Sequence, residues 1–559
     1  MAQRDSVKQS KLIDKLGYRD YFVILLISIS CFIVSIFNLG ATSSPQNGWN
    51  PKINDQVKAE FRHHANITAI VFFNGCGEGK DFSIEFSDDG TRWEPVITCR
   101  TGQIFRWEYK NIDTNREYSY IRVTSKSESL SLMEMFFLSG DNVIAIEGGD
   151  APLFDEQSKF IQHPSFLNEA YSDEFFYAST AYQYIHMLGP DYVENTHPPL
   201  GKNIIAAGEL IFGATPFGWR FFGVVAGVLS LAVLYILAKR LFGGLWWPAF
   251  SMALFALDFI RFTQTRFGTV DSYVVLFALL SFLYMFLYYK ADHGNAGTGK
   301  LWLYLFASGI FMGLGAAVKW EALYAVPGFA ILFFSGWRRQ KKYIISTILM
   351  CFVFFIFMPM IIYSLSYIPY VMASGESVVA VIKNQFMMLW FHTQLMPTGI
   401  SASRWWQWPV TLCPLLYYSG YVGGAYWKIL LWGNPFIWLP GLISVAITFA
   451  GCIYGWVSPG KVSLDDKKTG CFISIAYFSL LLPWALVSRD TYLYHYFPCV
   501  PFMILALAFA IRRFFKINRF LSISLIIMAF VMFLVFYPIL SGLPTEYDYM
   551  ASFINLMIK

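Results

Sequence analysis

The chain has 559 residues, of which 56% are hydrophobic and 14% are charged, and its formal net charge is +5. A soluble protein has about a quarter of its residues charged, so this composition excludes an ordinary soluble globular protein. Apolar runs of about 18 residues or more recur, and each can cross a hydrocarbon core of about 30 Å. We therefore predict a polytopic α-helical membrane protein. Its basic residues lie in short clusters between these runs, which argues against a nucleic-acid partner.

The chain begins with a polar tail, residues 1–20. The apolar run after it, residues 21–39, lacks the usual small-residue cleavage site of a signal peptide, so it is predicted to be a retained first transmembrane helix. The basic residues of the tail are Arg4, Lys8, Lys11, Lys15 and Arg19.

Residues 45–148 are the one soluble-looking region of the chain. The stretches "DFSIEFS", "YSYIRVTS" and "LSLMEMFFL" alternate polar and apolar residues with the period of two that is typical of strands. Turn signals such as "DDG" separate them, so we predict a small β-sandwich. Cys76 and Cys99 lie in this region without metal-ligand spacing, and the sequence fits a disulfide and two separate thiols equally well.

Residues 160–216 resemble neither a transmembrane helix nor a soluble domain. Aromatic and small residues suggest amphipathic helices on the membrane surface. Asp173 and Glu174 are adjacent carboxylates at the start of this segment, and "HPPLGK" at 197–202 adds His197 and Lys202. The prolines predict an extended backbone at His197, because a residue before proline avoids the helical conformation. A purely structural reading, in which both acids cap a helix, stays open at this point.

Eleven transmembrane helices are predicted, one at residues 21–39 and ten in the bundle region 217–541. The Lys and Arg excess in alternate short loops places the N-terminal tail in the cytoplasm and the C-terminal tail, residues 542–559, outside. The ten bundle helices are expected at 217–239, 245–262, 272–290, 301–318, 321–336, 343–365, 434–457, 471–488, 498–513 and 520–541. Six cysteines in or beside apolar segments are predicted to be small core residues, namely Cys31, Cys351, Cys413, Cys452, Cys471 and Cys499.

This orientation gathers many polar groups on the outer face of the membrane. The outer face receives residues 40–216, the turn from Arg266 to Asp271, Lys319, the loop 366–433 and "SRDTYLYHYFP". Polar loops are common, but Arg266, Asp271 and Lys319 lie at or within the ends of apolar helices. Ionisable residues are costly there and mark functional sites.

Seven motifs occur in one order between roughly residues 165 and 505: "DE" at Asp173, "HPPLGK" from His197, "FGWRFFGVVAGVL" with Arg220, "TRFGTVDSYVVLF" with Arg266 and Asp271, "GLGAAVKW" with Lys319, "WWQWP" at 405–409 and "YLYHYFP" with His495. This series resembles the protein O-mannosyltransferase family of GT-C membrane glycosyltransferases, in its compact bacterial form. The stretch "FSIEFSDDGTRWEPV", with "YIRV" and "MEMFFL", resembles a discoidin-type β-sandwich inserted ahead of the family's core.

The family resemblance implies transfer of a sugar, expected to be mannose, from a polyprenyl-phosphate donor to Ser or Thr hydroxyls of extracytoplasmic proteins, with inversion at the anomeric carbon. A hydroxyl is a poor nucleophile at neutral pH and needs a positioned base. Asp173 is predicted to be that general base, and Glu174 is predicted to orient the acceptor or a neighbouring cation.

The leaving group is a lipid phosphate, and cations that neutralise its developing charge assist its departure. Arg266 and Lys319 are the main candidates for this role, and Asp271 is expected to hold one of them in place. Further candidates for binding the phosphate or the sugar are Arg220, His197, Lys202, Arg404, Arg489 and His495. Trp405, Trp406 and Trp408 offer aromatic faces for the sugar, the acceptor or the prenyl chain. We predict no obligatory metal or other cofactor, because no outward loop holds a suitable "DxD" motif.

Some positions depart from the family pattern. MIR domains are absent, which favours a bacterial plasma membrane over the endoplasmic reticulum. Glu321 follows Lys319 and Trp320 where a Thr or a small residue is expected, and Arg404 stands where the family more often has "HPYxSPWW". Both departures lie beside the expected donor and acceptor sites.

Three alternatives remain open from the sequence. The acceptor of a GT-C enzyme is in some cases a lipid or a cell-envelope glycan. A transporter of lipid-linked sugar is disfavoured, because the chain has no internal repeat or paired broken helices. A non-catalytic scaffold, in which the discoidin-like module binds a carbohydrate or a protein, is the third. Asp173→Asn separates them, since only an enzyme loses turnover while folding normally.

Overall fold

A computed structural model of the chain describes residues 15–94, 96–112, 114, 116–147, 151–188, 194–291, 297–337, 344–394, 402–411, 413–515 and 517–546. Several segments used for the predicted orientation lie outside these described residues. They are Arg4, Lys8 and Lys11 of the tail, parts of two inner loops at 292–296 and 338–343, and the C-terminal residues from 547 onward.

Helices dominate the described residues. In chain order the α-helices are α1 (Tyr18–Ile36), α2 (Glu174–His186), α3 (Leu200–Phe212), α4 (Pro216–Phe242), α5 (Trp246–Ala256), α6 (Phe259–Thr265), α7 (Asp271–Lys290), α8 (Thr298–Val318), α9 (Val326–Trp337), α10 (Ile344–Phe352), α11 (Met358–Ser366), α12 (Ile368–Ser374), α13 (Val378–Gln394), α14 (Pro435–Val457), α15 (Leu464–Leu481), α16 (Val500–Phe514) and α17 (Asn518–Ser541).

Nine helical segments among the described residues are long and apolar enough to cross a membrane, and Trp320–Ser335 is a shorter apolar helix. The chain is therefore a multi-pass membrane protein. One hydrophobic core extends from the helical bundle to the segment around α2. Tyr171 and Tyr182 of this segment belong to the same buried cluster as Phe282 and Phe502 of the bundle. The segment around α2 thus packs directly against the transmembrane helices.

One predicted transmembrane helix, residues 245–262, is wrong as a single element. The structure divides it into α5 and α6, which meet at Leu257 and Asp258. Asp258 caps α6, because its side chain accepts a hydrogen bond from the backbone N–H of Arg261 (3.2 Å), and Trp438 donates to its second oxygen (2.6 Å). An N-cap side chain starts a new helix, so the apolar run is interrupted despite its hydropathy.

The region between α1 and α2 is a β-sandwich, as predicted. Its strands are β1 (Gln56–Asn66), β2 (Ala69–Asn74), β3 (Asp81–Ser87), β4 (Val96–Arg100), β5 (Trp107–Asn111), β6 (Glu117–Ser125), β7 (Leu132–Ser139), β8 (Asn142–Val143) and β9 (Ile146–Glu147). They form a five-stranded sheet in the order β4-β3-β6-β1-β9 and a four-stranded sheet in the order β5-β2-β7-β8. Phe72, Phe82 and Phe137 fill the space between the two sheets.

The four-stranded sheet is covered on both faces. All six residues of β2 are buried, and so are seven of the eight in β7. The face turned away from the sandwich core packs on the membrane-proximal helices, where Phe105 stacks on Trp219 of α4 with the ring centroids 5.6 Å apart. A sheet with two covered faces reads as a continuous apolar run, which explains "AIVFF" and "MEMFFL" in this polar region.

The predicted outer loop 366–433 contains secondary structure. Helix α12 extends the preceding transmembrane helix to Ser374, and α13 follows. Large apolar side chains of α13, among them Phe386, Met387 and Trp390, are more than half exposed, which is typical of a helix lying in the membrane interface. Strands β10 (Leu415–Val422) and β11 (Ala425–Leu431) then form a hairpin, and β12 (Pro544–Thr545) pairs with β11.

The cysteines differ from the prediction at one pair. Cys452 of α14 and Cys471 of α15 form a disulfide, whereas both were expected to be separate core residues. The short connection between these helices brings the two side chains together, which sequence spacing alone does not reveal. Cys76 and Cys99 are separate buried thiols.

Candidate active site

A polar cavity of about 650 Å³ lies between the start of α2, the start of α7, the end of α8 and the β10–β11 hairpin. It is lined by the ionisable residues Asp173, Glu194, His197, Asp271, Lys319, His392, Arg489 and His495. Six of these eight were predicted site residues. The tertiary fold therefore brings together polar groups that are spread over more than 300 positions of the sequence.

Asp173 immediately precedes α2 and lies on the cavity wall. Its carboxylate is exposed to the cavity, does not cap the helix, and has no hydrogen bond or ion pair among the described residues. The enclosing protein desolvates this group and raises the pKa of Asp173 to about 6. The neighbouring carboxylate of Asp271 also raises it, whereas Lys319 lowers it. These features leave Asp173 free to accept a proton near neutral pH.

Glu174 has a different position from its neighbour. It is fully buried and does not line the cavity. Its two oxygens accept hydrogen bonds from Nε and Nη2 of Arg220, both at 2.7 Å, and from the backbone N–H of Gly268 at 2.7 Å. Adjacent residues of a helix point about 100° apart, so one acid faces the cavity and the next faces the bundle. Of the two roles predicted for Glu174, holding a neighbouring cation agrees with its contact to Arg220, whereas orienting the acceptor does not fit this geometry.

Arg220 is likewise a structural residue here and not a phosphate ligand. Its guanidinium is 1% exposed and also donates to the carbonyl oxygens of Leu39 and Glu169, at 2.8 and 3.1 Å. Glu174 and Arg220 together fasten the start of α2 to the bundle. Gly268, whose backbone N–H also contacts Glu174, must be a glycine, because a Cβ atom there would lie 2.7 Å from the ring of Trp219.

Asp271 and Lys319 form an ion pair on the cavity wall. Asp271 begins α7 and Lys319 follows the last residue of α8, and Lys319 Nζ lies 2.7 Å from Asp271 Oδ1. The other oxygen of Asp271 accepts from Gln264 at 2.9 Å, and Gln264 accepts from the hydroxyl of Tyr417 at 2.6 Å. This chain of hydrogen bonds fixes the ammonium group at the edge of the cavity, as the sequence predicted for Asp271.

Glu194, His197 and Lys202 form a second cluster. Lys202 is buried and donates to Glu194 Oε2 at 2.7 Å and to the carbonyl oxygen of His197 at 2.8 Å. Burial acts to raise the pKa of Glu194, but Lys202 and His197 lower it well below its usual range. His197 lines the cavity, with Nδ1 3.2 Å from Glu194. Lys202 does not line the cavity and instead holds this loop, which corrects its predicted role.

Arg489 is the second cation on the cavity wall. It is half-buried and has no hydrogen bond or ion pair with a described residue. A neighbouring cavity of about 370 Å³ shares Arg489, Lys319, His197 and His392 with the first. The far wall of this second cavity is apolar and includes the exposed side chains Leu323, Leu389 and Leu486. The two cations thus lie between a polar space and an apolar opening.

Arg266 was a main candidate for binding phosphate, and the structure places it elsewhere. Its guanidinium is buried and donates to the carbonyl oxygens of Ser35 and Asn38, at 2.7 and 2.8 Å, near the end of α1. It also donates to the carbonyl oxygen of Ser541 at the end of α17, at 3.2 Å. A cation at helix C-termini satisfies orphan carbonyl groups. Arg266 therefore joins two helix ends and does not reach the cavity.

The "WWQWP" segment supports the cavity without lining it. Trp408 is buried and stacks on His495, with the ring centroids 5.9 Å apart, and His495 does line the cavity. Trp406 is exposed, and Trp405 is half-buried against the core. Arg404 is exposed and also lies off the cavity wall. None of these four residues lines the cavity, so a contact with a sugar bound there does not fit these positions, whereas a contact with the acceptor or the prenyl chain outside the cavity stays a prediction.

Sequence reasoning missed several residues of the cavity wall. They are Glu194, Gln264, His392, Tyr417 and Tyr494. Two of them carried a usable signal: Gln264 is a polar residue in an apolar segment, and Glu194 stands within the quoted "ENTHPPLGK" stretch. His392 and Tyr417 come from α13 and the hairpin, where no local pattern marks them.

Two family regions cover more than half of the chain. Residues 196–363 match the family described as dolichyl-phosphate-mannose-protein mannosyltransferase, and residues 378–555 match the C-terminal four-transmembrane region of protein O-mannosyltransferase. The chain belongs to the protein O-mannosyltransferase family.

Bacterial members of this family are similar in sequence to more than half of the chain. A polyprenol-phosphate-mannose–protein mannosyltransferase from Mycolicibacterium smegmatis is 27% identical over 447 residues, which are 66% of this chain and 84% of that protein. The protein of the same description from Corynebacterium glutamicum is 25% identical over 384 residues, covering 57% of this chain and 71% of its own length.

The fold also matches that of a solved protein O-mannosyltransferase. The Saccharomyces cerevisiae Pmt1–Pmt2 complex bound to the sugar donor aligns with a TM-score of 0.58 and 13% identity, over 68% of this chain and 88% of that chain. The helical bundle is therefore of the GT-C type. The β-sandwich precedes both family regions, so its discoidin-like character stays a prediction.

Proposed function

We propose that this protein transfers mannose from a polyprenyl-phosphate donor to Ser or Thr hydroxyls of proteins, with Asp173 as the general base. Membership of the protein O-mannosyltransferase family supports the reaction class. The observation that carries the proposal is the carboxylate of Asp173, which has no hydrogen bond or ion pair with another residue that the structure describes and shares one cavity with the cations Lys319 and Arg489.

The proposed reaction is a single displacement. The hydroxyl oxygen of the acceptor attacks the anomeric carbon of the mannosyl group and forms the new glycosidic bond. The bond between that carbon and the phosphate oxygen breaks, and its electron pair leaves on the phosphate. The hydroxyl proton moves to Asp173, whose pKa of about 6 leaves the carboxylate mostly ionised at pH 7.

The two cations act on the leaving group. Charge develops on the phosphate oxygen as the glycosyl bond breaks, and fixed positive charges in a partly desolvated site stabilise it. The Lys319 ammonium group is held in place by Asp271, whereas the Arg489 guanidinium, which no other described residue engages in a hydrogen bond or ion pair, can donate two hydrogen bonds to one phosphate. The apolar opening at Leu323 and Leu486 suits a prenyl chain, so we infer that the donor enters there.

We also infer the orientation of the enzyme. The excess of Lys and Arg in alternate loops supports a cytoplasmic N-terminus and an extracytoplasmic cavity. The bacterial relatives, which are named for a polyprenol-phosphate-mannose donor, support a bacterial plasma membrane. Acceptors are then secreted or membrane proteins that present a Ser or Thr side chain to the cavity.

The test uses the purified full-length protein with polyprenyl-phosphate mannose and a Ser/Thr-rich peptide, and mass spectrometry detects a hexose increment on the peptide. Asp173→Asn should lower the rate of transfer by roughly 10²- to 10⁴-fold, because it removes the general base. It should not lower the melting temperature at pH 7.5. A carboxyl with a raised pKa is costly to ionise in the folded state, and asparagine removes that cost.

Asp141→Asn is the matched control, because Asp141 is an exposed carboxylate on the β7–β8 turn of the sandwich. Its rate should equal that of the unmodified protein. Full activity of Asp173→Asn would contradict the role of Asp173. Transfer to a lipid or glycan with no transfer to any peptide would contradict the protein acceptor.

A further inference from the structure

The β10–β11 hairpin has one edge without a neighbouring strand. Its sheet has the order β10-β11-β12, so β10 is an edge strand that pairs only with β11 among the described residues. An edge strand presents unpaired backbone N–H and C=O groups, and proteins commonly protect such an edge with charged side chains or proline. The sequence of β10, "LLYYSGYV", contains neither. This edge can therefore pair with another extended chain.

The register of the hairpin shows which backbone groups of β10 point away from β11. A Gly-Gly turn with positive φ at both positions joins the paired residues Val422 and Ala425. Such a pair is hydrogen-bonded in a two-residue hairpin, and hydrogen-bonded pairs alternate along the strands from there. Ser419 and Tyr421 belong to the intervening pairs, so their N–H and C=O groups point outward. Both residues are exposed, and no described residue outside the hairpin forms a hydrogen bond with these groups.

The same strand reaches the catalytic cavity. The register with β11 shifts at Tyr417, and this β-bulge re-aims a side chain that lines the cavity together with Asp173. Ser419 follows Tyr417 by two residues, which is about 7 Å along a strand. A chain that pairs with Ser419 and Tyr421 therefore continues past Tyr417 and arrives beside Asp173.

The chemistry of the acceptor limits what can occupy this edge. A Ser or Thr hydroxyl is carried directly on Cβ, so it reaches Asp173 only when the acceptor's main chain lies at the mouth of the cavity. An α-helix with its side chains is about 10–12 Å across, whereas a strand adds to a sheet at a spacing of about 4.8 Å. Main-chain hydrogen bonds to an edge strand also hold a peptide whatever its side chains are. An extended polypeptide fits these requirements.

We propose that the outer edge of β10, named here the β10 edge, binds the acceptor polypeptide as an additional strand. The backbone groups of Ser419 and Tyr421 pair with the main chain of the acceptor. A Ser or Thr side chain beyond the paired segment enters the cavity at Tyr417, next to Asp173. The enzyme thus selects acceptors by their extended backbone, with little dependence on the neighbouring side chains. This inference rests on the proposed transfer to proteins and adds how the acceptor is held.

The first test scans the backbone of the acceptor. A proline-free peptide with one Thr is N-methylated at one residue at a time, and kcat/KM for mannose transfer is measured with the purified full-length protein and polyprenyl-phosphate mannose. Each methyl group removes one N–H donor. It should lower kcat/KM by roughly fivefold or more at alternate residues on one side of the Thr, and the residues between them should tolerate it.

The second test removes a donor from the enzyme. The N–H of Ser419 points away from β11, so Ser419→Pro removes a hydrogen bond to the acceptor and none within the hairpin. The KM for the peptide should rise by roughly fivefold or more, whereas the KM for the donor and the melting temperature should stay unchanged. Ser419→Ala is the matched control. It keeps the N–H, so its KM for the peptide should be well below that of Ser419→Pro.

Three results would overturn the proposal. The first is a peptide scan without a period of two, and this scan decides alone if Ser419→Pro lowers the melting temperature. The second is an equal KM for the peptide in Ser419→Pro and Ser419→Ala. The third is a dimer that Ser419→Pro dissociates without changing peptide transfer, which would assign the β10 edge to a second copy of the chain. Absence of transfer to every peptide would instead contradict the proposed function itself, and this inference with it.

Discussion

The two adjacent acids Asp173 and Glu174 show how position on a helix separates two functions. Within the described part of the chain the Asp173 carboxylate has no hydrogen-bond or ion-pair partner, and it faces the cavity, whereas Glu174 is buried against Arg220 and Gly268. Ser172, just before them, has a positive φ of 47°, a conformation that few residues other than glycine adopt. This turn starts α2 in the direction that splits the pair. The proposed chemistry depends on the Asp173 carboxylate and on the support that Glu174 gives to the start of α2.

The pKa of Asp173 predicts the pH dependence of the enzyme. A general base must be ionised, and a pKa of about 6 means that the ionised fraction falls as the pH drops through this value. We expect kcat/KM to reach half its plateau near pH 6 and to decline below it. An ordinary aspartate, with a pKa of about 3.9, would keep the plateau down to about pH 5 and reach half of it only at about pH 4.

Steady-state rates between pH 4.5 and 8 check this expectation, with thermal unfolding measured across the same range to exclude loss of fold. Asp173→Glu keeps a carboxylate and should retain an acidic limb, whereas the residual activity of Asp173→Asn should lack it. A plateau that extends unchanged to pH 4.5 would contradict the proposed environment of Asp173.

At the level of elements, α2 is fixed to the bundle by a buried ion pair. Glu174 begins α2, Arg220 lies in the first turns of α4, and the guanidinium also reaches the chain after α1 at Leu39. Breaking a buried pair by removing one partner leaves an uncompensated charge and costs about 3–5 kcal/mol. Replacing both partners removes the charge problem, so the loss should then be smaller.

Arg220→Met should therefore lower the melting temperature substantially, and the double variant Glu174→Gln/Arg220→Met should recover part of that loss. Thermal unfolding in detergent measures both effects. The transfer rate should fall in both variants, because α2 positions Asp173. Arg404→Met is the control, since Arg404 is exposed and lies outside this cluster. Equal melting temperatures for the control and Arg220→Met would show that the pair does not hold α2.

At the scale of the whole molecule, the sandwich, α2, α13 and the hairpin all gather at one end of the helical bundle. The catalytic cavity lies between them, and its apolar extension opens beside α13, whose exposed aromatic and aliphatic side chains suit the membrane interface. This arrangement keeps a polar reaction centre in contact with both water and lipid. A transferase whose donor is lipid-linked and whose acceptor is a protein requires such a boundary.

The orientation of the bundle can be tested with single cysteines. Asp141→Cys lies on the sandwich, and Lys461→Cys lies on the short connection between α14 and α15. Both positions are exposed. A membrane-impermeant maleimide added to intact cells should label Asp141→Cys at once and Lys461→Cys only after permeabilisation, because the predicted orientation puts them on opposite sides. Labelling of both from the same side would contradict the assigned topology. The unsubstituted protein serves as the background.

The sequence by itself determined the membrane class, the positions of most apolar helices, the sandwich and the family. Each of these depends on local signals: hydrophobic length, a period of two in the strands, and an ordered series of motifs. The same signals singled out Asp173, Asp271 and Lys319, because ionisable residues stand out against apolar helices.

Only the tertiary structure decided which charges face the cavity. The sequence favours Arg266 over Arg489 as a phosphate ligand, yet Arg266 donates to backbone carbonyl oxygens at two helix ends. Arg489 lines the cavity and has no hydrogen bond or ion pair with another described residue. His392 and Tyr417 reach the cavity from segments far away along the chain. A side chain's partners depend on how helices pack against each other, and no local pattern contains that information.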